Sequence, residues 1–305
     1  MLGFLQEPGG QIMSDLSQVP VTFLGAGLMG KPMILRLLQA GYRVTAYNRT
    51  AARLAEVAEA GAHTAPDPMA AVGAGRAIIV MLADGPAIGA VLNDQVMEAL
   101  RGRTVIQMST IGPEESRRLA ARVEEHGGEY LEAPVLGSVP EVRLGELMLF
   151  IGGTPACFEH WRPLLLAFGP APRLVGPVGS AAALKLAFNQ LIVALTSAFS
   201  FSLGVVLREG IDPQPFMELL RQSALYAPTF DKKLDRMLDR QFENPNFPLR
   251  LMLKDAKLAI AEGERLGLNA SAVRGAGQLL QLAMQSGLGE KDYSALYEVV
   301  NRAGG

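Results

Sequence analysis

A lysine stands near the start of a long apolar stretch, GSAAALKLAFNQLIVAL, residues 179–195. An ammonium among apolar side chains is unfavourable unless a partner or a function uses its charge. Lys185 either extends its stem and puts its charge in water, or lines a pocket where a positive charge is wanted. Asn189 stands four residues on, so in a helix the two polar side chains share a face. Leu184, Leu191, Leu195 and Phe199 would make the opposite, apolar side.

A second group of residues binds rather than reacts. VTFLGAGLMGKPM carries Gly25, Gly27 and Gly30 as G-x-G-x-x-G, between an apolar run and an amphipathic one. In a strand–turn–helix setting the first glycine permits the tight turn and the second lets a pyrophosphate approach the backbone. The third lets helix and strand pack closely. The helix start adds N–H donors and a positive dipole end. Ala26, Leu28 and Met29 complete the loop. About twenty positions on, an enzyme using NAD would carry a carboxylate for the ribose hydroxyl. This chain has YNRT instead, residues 47–50. Arg49 offers a planar cation suited to a 2′-phosphate, with Asn48 and Thr50 as neutral donors. NADP (NADPH) is therefore the expected cofactor.

The elements that must hold these groups follow from periodicity. Apolar runs at 19–24, 43–47, 77–82, 104–108, 130–131, 147–151 and 173–175 read as strands. Helical patterns at 29–40, 50–60, 86–100 and 113–126 lie between several of them. That alternation predicts a mainly parallel sheet with helices on both faces. Beyond residue 179 the strand-like runs stop. Helices are expected at 181–208, 213–222, 229–240, 249–266, 271–285 and 294–302. The expected fold class is α/β: an N-terminal Rossmann dinucleotide-binding domain at 19–179 and an all-α C-terminal domain at 180–305, joined by a long interdomain helix. Residues 1–18 read as an extension without the features of a signal peptide, and Met13 as a second possible start.

Composition excludes several classes. Of the 305 residues, 49% are hydrophobic and 19% charged, enough apolar material for a sizeable core. Lys and Arg number 28 against 30 Asp and Glu, so no basic excess points to nucleic acid. A single cysteine, Cys157, forms no internal disulfide, and His63, His126 and His160 lack ligand spacing, so no metal site is expected. The apolar run at 191–207 is broken by Thr196, Ser197, Ser200 and Ser202, and reads as a buried junction helix rather than a membrane span. A cytoplasmic location is expected. So much apolar helical surface also calls for a homodimer or homotetramer.

The motifs FLGAGLMGKPM, AYNRT, MLAD, MSTIGPEES, LEAPVLGS, GPVGSAAALKLAFN and FPLRLMLKD resemble, in this order, those of the β-hydroxyacid dehydrogenases. That family includes 3-hydroxyisobutyrate dehydrogenase, tartronate semialdehyde reductase and the glyoxylate/succinic semialdehyde reductases. The resemblance covers about residues 21–300, and LEAPVLGS and KLAFN look closest to the last group. It implies an active site in a cleft between the two domains. It assigns cofactor contacts to Gly25, Gly27, Gly30, Arg49, Leu82 and Thr110, the acid/base role to Lys185, and substrate holding to Asn189. Lys254 and Asp255 would close over the nicotinamide end. Hydride arriving at a carbonyl carbon leaves negative charge on oxygen, which a nearby ammonium stabilises and protonates.

One departure from the family concerns the substrate. Relatives usually carry serine after APV, where it grips a carboxylate; here the residue is Leu136, which donates no hydrogen bond. Carboxylate binding would then rest on backbone N–H groups near Gly137 and Ser138, or the substrate is less polar at that end. A silent, core-facing Leu136 is the other reading. Tyr226 and Phe230 correspond to a pocket lid in relatives and read equally well as core aromatics. Residues 231–233 and 235–236 read as a solvated charged face. The expected reaction interconverts a small aldehyde or keto acid, such as glyoxylate or succinic semialdehyde, and its hydroxy acid. 3-Hydroxyisobutyrate or tartronate semialdehyde chemistry is the alternative within the class. A non-catalytic dinucleotide-binding module is the alternative outside it, and Lys185 argues against that reading. The same lysine argues against an imine reductase, and the length of the helical part argues against 6-phosphogluconate chemistry.

Overall fold

The computed structural model describes residues 19–301, so the expected extension at 1–18 lies outside the described residues. These residues form two compact units, one ending at Lys185 and the other starting at Leu186.

The first unit alternates strands and helices. In chain order they are β1 (Val21–Leu24), α1 (Gly30–Gln39), β2 (Val44–Tyr47), a 3₁₀ turn (Ala51–Leu54), α2 (Ala55–Glu59), β3 (His63–Thr64), α3 (Pro68–Ala74), β4 (Ala77–Val80), α4 (Gly85–Val91), α5 (Asp94–Glu98), β5 (Thr104–Gln107) and α6 (Pro113–Glu125). Then follow β6 (Glu129–Glu132), β7 (Val135–Leu136), α7 (Val139–Leu144), β8 (Met148–Gly152), α8 (Pro155–Leu165) and β9 (Arg173–Gly176). The sheet order is β3-β2-β1-β4-β5-β6-β8-β7, with β9 beside β8. Strands β3 to β6 are parallel. β8 runs antiparallel to β6 and β7. The chain winds outward from β1 through β2 and β3, then restarts on the other side with β4. Ligands of such sheets bind at this reversal, beyond the carboxyl ends of the strands.

Alternation of side chains across each strand supplies both faces. Phe23, Ile79, Ile106 and Leu131 enter one buried cluster, and Leu24, Ile78, Val80, Val105 and Tyr130 the other. Short helices start on local caps. Asp67 accepts from Ala70 N at 2.8 Å and Asp84 from Ala87 N at 2.9 Å, each with proline at one of the next two positions. A cap of this kind contributes about 1 kcal/mol. The single helix expected at 86–100 is two helices, because Asn93 caps a new start by accepting from Val96 N at 3.1 Å. β3, β7, α3, α7 and α8 were not expected. Their glycine and proline content, including Pro163 inside α8, reads as loop in one dimension.

The second unit is helical. α9 (Ser180–Arg208) has 29 residues and carries the chain across the unit boundary. It is followed by α10 (Pro213–Gln222), α11 (Pro228–Leu238), α12 (Leu249–Arg265), α13 (Ser271–Gln285), a 3₁₀ turn (Tyr293–Ala295) and α14 (Leu296–Val300). Phe199, Leu203, Met217, Met252 and Leu280 are among its buried core. By length and composition α9 could cross a membrane: its best 18-residue window has mean hydropathy 1.9, and 39% of that window is buried.

On α9 the apolar side opposite Lys185 is mixed: Phe199 is buried, Leu184 and Leu195 are half-buried and Leu191 is exposed. Lys185, Asn189, Val193, Thr196, Ser200 and Leu203 are buried, while Leu191, Phe201 and Val205 are exposed. The polar residues on the buried stripe remain satisfied in part by back-bonding, as in Thr196 Oγ1 to Ile192 O at 2.7 Å. One expectation is corrected: residues 231–233 are not wholly a solvated face, for Lys232 is exposed and Asp231 half-buried but Lys233 is not. Lys233 is buried and donates to both oxygens of Asp292, at 2.8 and 2.9 Å, with its ammonium over the Tyr293 ring. Burial pushes the Lys233 pKa down, and Asp292 opposes the shift.

Candidate active site

The glycine loop is built as its spacing demands. β1 ends at Leu24, and Gly25 turns with φ +111°, its N–H donating to Tyr47 O at 2.9 Å. A Cβ at Gly25 would lie 2.2 Å from Met81 O, and one at Gly30 would lie 1.8 Å from Gly25 O. A Cβ at Gly27 would meet nothing within 4 Å. So Gly25 and Gly30 are fixed by the protein's own packing, whereas Gly27 leaves open space against bare backbone. Gly30 opens α1, which carries no acidic residue in its first turn. The four leading N–H groups of a helix lack internal partners, so this corner offers donors and no competing anion. A dinucleotide pyrophosphate fits it. Leu28 is exposed, Met29 half-buried and Ala26 buried.

The second strand leads into the residues expected to meet the cofactor ribose, Asn48, Arg49 and Thr50. Asn48 accepts from Ala26 N at 3.1 Å through Oδ1 and donates to Thr50 O at 2.9 Å through Nδ2. It braces the glycine loop against the end of β2. Arg49 and Thr50 are exposed beside it. At the ends of β4 and β5, Leu82 N donates to Ser109 Oγ at 2.8 Å, and Gln107 Nε2 donates to Ser109 O at 3.0 Å. These bonds hold Leu82 and the half-buried Thr110 at the carboxyl edge of the sheet. Gln107 and Ser109 were not singled out in sequence.

The 136–138 turn differs from what was expected. Leu136 is half-buried and pairs with Met148. Gly137 has φ +134°, and a Cβ there would meet Leu147 Cδ2 at 2.6 Å. Ser138 donates to Glu141 Oε2 from its backbone N–H at 2.8 Å and from its hydroxyl at 2.7 Å, forming the capping box of α7. Both Ser138 donors are spent on a carboxylate of the chain itself. Of the two positions expected to bind a substrate carboxylate, Gly137 and Ser138, the second has its donors engaged by Glu141, whose charge would also oppose a second carboxylate.

α9 starts against Glu132. This buried carboxylate accepts from Gly179 N at 2.8 Å and from Ala181 N at 3.1 Å. One turn further on, Lys185 is 8% exposed, so it does not extend into water. Asn189 is buried on the same helical face, as its spacing required. Its Nδ2 donates to Asp255 Oδ2 at 2.6 Å, and its Oδ1 is buried without a hydrogen-bond partner. Asp255 Oδ1 meets Lys254 Nζ at 2.9 Å, off the direction of a hydrogen bond. Asp255 therefore orients the Asn189 amide so that a bare carbonyl oxygen is presented. A buried acceptor without a donor calls for one from a ligand.

Arg250, Lys254 and Lys257 line a groove of about 410 Å³ together with Leu253, Leu258 and Met284. Its basic stripe, at spacings of four and three along α12, was legible in FPLRLMLKDAKL but was read only at Lys254. The proposed lid residues divide. Phe230 is buried in the core, stacked on Phe199 with ring centroids 4.6 Å apart, so its ring is committed to packing. Tyr226 donates to Asp231 Oδ2 at 2.5 Å, and Arg221 Nη2 donates to Asp231 Oδ1 at 2.7 Å. These bonds push the Tyr226 pKa up and hold the Asp231 carboxyl below its usual range.

A Rossmann domain with a dinucleotide seat, followed by a helical domain, defines an NAD(P)-binding oxidoreductase. The family model for the NAD-binding domain of 6-phosphogluconate dehydrogenase matches residues 20–178. That for the NAD-binding region of NADP-dependent 3-hydroxyisobutyrate dehydrogenase matches residues 179–300. The chain belongs to the 3-hydroxyisobutyrate dehydrogenase-like β-hydroxyacid dehydrogenase family. It is 32% identical to glyoxylate/succinic semialdehyde reductase 1 of Arabidopsis thaliana over 283 residues, covering 92% of this chain and 98% of that protein. It is 34% identical to 2-hydroxy-3-oxopropionate reductase of Escherichia coli over 284 residues, covering 91% of this chain and 96% of that one. A solved structure of Psf3 in complex with NADP+ and 2-OPP superposes with TM-score 0.83 at 26% identity, covering 92% of this chain and 99% of that one.

Proposed function

We propose that this protein is an NADPH-dependent reductase of small aldehydes or keto acids, with glyoxylate and succinic semialdehyde as the substrate class. The observation that carries the reading is Lys185, a buried lysine one turn into the helix whose start is held at the carboxyl end of β6. A bound reduced nicotinamide would supply the hydride. The Lys185 ammonium stabilises the charge that builds on the carbonyl oxygen, donates its proton to that oxygen, and regains a proton from solvent. Asn189, turned by Asp255, offers its bare Oδ1 to the hydroxyl of the hydroxy-acid product. Gly25, Gly27, Gly30 and the start of α1 hold the pyrophosphate. Arg49 pairs with the 2′-phosphate, and the family resemblance assigns Lys254, with Asp255, to the nicotinamide end.

The apolar residues left exposed on α9, Leu191, Phe201 and Val205, support a homo-oligomer. The name of the Arabidopsis relative supports glyoxylate and succinic semialdehyde, and that of the Escherichia coli relative supports the alternative, tartronate semialdehyde. The test is a panel of short aldehydes and keto acids assayed by NADPH and NADH oxidation. Turnover of glyoxylate or succinic semialdehyde with a preference for NADPH is expected. No turnover of any member with either coenzyme would contradict the reading.

A further inference from the structure

Among the described residues, helices α3, α4, α5, α7, α8 and α10 are each capped by the residue immediately before them. α9 is held differently. Its acceptor is the carboxylate of Glu132, 47 residues before Gly179 and 49 before Ala181. Each carboxylate oxygen takes one backbone N–H, so the grip is two-pronged and fixes direction as well as distance. The carboxylate also lies at the positive end of the helix dipole, which favours its charge.

The surroundings are shaped for this carboxylate. Glu132 ends β6, paired with Gln107 of β5 and with Gly152 of β8. A Cβ at Gly152 would lie 2.2 Å from Glu132 Oε2 and 3.2 Å from Pro177 O, so glycine leaves room for the side chain. A local serine or aspartate would cap a helix equally well. An acceptor brought from a central strand does something more: it sets the helix in register with the sheet. Ala181 and Lys185 are i and i+4, about 6 Å apart along the axis, so the gripped N–H lies directly beneath the lysine. Four residues beyond Glu132 the same strand path reaches Leu136 and the 136–138 turn.

We propose that Glu132 is the positioning residue of the reaction: its carboxylate locks the first turn of α9 to β6 and so fixes Lys185 relative to the 136–138 turn. This rests on the reading of Lys185 as proton donor. Glutamine at 132 keeps one acceptor oxygen and turns an amide donor toward the other backbone N–H. Alanine at 152 keeps the carboxylate and drives it from its seat. The two variants disturb one contact from opposite sides.

The experiment uses the full chain in three variants, Glu132→Gln, Gly152→Ala and Lys185→Ala. It measures kcat and KM for glyoxylate and succinic semialdehyde, Kd for NADPH, melting temperature, and amide exchange over residues 179–185 by mass spectrometry. Glu132→Gln and Gly152→Ala are expected to lose exchange protection over that segment and about 10–100-fold in kcat, the effect of a catalytic group misplaced by about 1 Å. KM and the NADPH Kd stay within about twofold. Wild-type exchange in Glu132→Gln, or wild-type kcat beside an inactive Lys185→Ala, overturns the proposal while leaving the proton-donor reading intact. Parallel loss of coenzyme affinity and melting temperature also overturns it, because the residue would then be structural only. Wild-type turnover by Lys185→Ala removes the proton donor itself and, with it, the catalytic role of Glu132, even if exchange in Glu132→Gln changes as expected.

Discussion

Gly27→Ala and Gly30→Ala separate coenzyme binding from folding within four residues of chain. At Gly30 the new Cβ falls 1.8 Å from Gly25 O and 3.2 Å from Phe23 Cε1, so backbone must move. Overpacking of this kind costs about 1–3 kcal/mol. At roughly 2–4 °C per kcal/mol for a domain of this size, the melting temperature falls by about 2–12 °C. At Gly27 the Cβ meets no atom within 4 Å, and φ is not in the left-handed region. The apo protein is then unchanged or gains up to about 1 kcal/mol from a stiffer unfolded chain. The same methyl group occupies the space a pyrophosphate needs, and at least about tenfold in NADPH affinity, or about 1.4 kcal/mol, is lost. Differential scanning calorimetry with and without NADPH reads both effects. Wild type gains melting temperature with coenzyme. Gly27→Ala keeps the apo value and loses the gain, whereas Gly30→Ala starts low. A Gly27→Ala protein that binds NADPH with wild-type Kd would refute the reasoning, since the open space at Gly27 would then have no ligand to receive.

Arg49→Ala should raise the NADPH Kd by about 10–100-fold, the size of one or two hydrogen bonds to a charged group, and leave the NADH Kd unchanged; equal effects on both coenzymes would contradict the 2′-phosphate role. Leu136→Ser adds a donor where the turn's own donors are taken by Glu141. Its kcat/KM for aldehydes bearing a carboxylate should rise about tenfold relative to uncharged ones, and an unchanged ranking would make Leu136 silent. Asp231 is held below its usual pKa by Arg221 and Tyr226, so its contribution is present above the unfolded value, near 3.8, and disappears as pH falls through the lower folded value. Urea midpoints of wild type and Asp231→Asn should therefore differ at pH 5–7 and converge at strongly acid pH; a gap that widens toward acid would reverse the sign.

The dinucleotide loop was legible because its three glycines answer local demands: a turn, an open seat and a close helix–strand approach. Lys185 and Asn189 were legible as a pair because helical spacing is local as well. The direction in which that pair points was not. Lys185 and Asn189 are buried, while the apolar set runs from buried Phe199 to exposed Leu191, because helix burial is set by whatever packs against it. Long-range bonds were invisible for the same reason. Glu132 to Gly179, Asn189 to Asp255 and Lys233 to Asp292 join residues 47, 66 and 59 positions apart. A charged run such as 231–236 looks solvated until the chain returns with a buried carboxylate. At Ser138 the capping box engages the donors that the family pattern assigns to substrate. The pattern S-x-x-E was present at 138–141, and it signals a helix start more directly than a binding turn.

The account turns on proton delivery by Lys185. The most direct measurement mixes Lys185→Met, pre-loaded with NADPH, against saturating succinic semialdehyde in a stopped-flow instrument and follows a single turnover of coenzyme absorbance. A rate lower than wild type by about 10²–10⁴-fold, with the NADPH Kd unchanged, is the predicted result. A single-turnover rate equal to wild type would show that the oxygen is protonated without this lysine, and the account would fail.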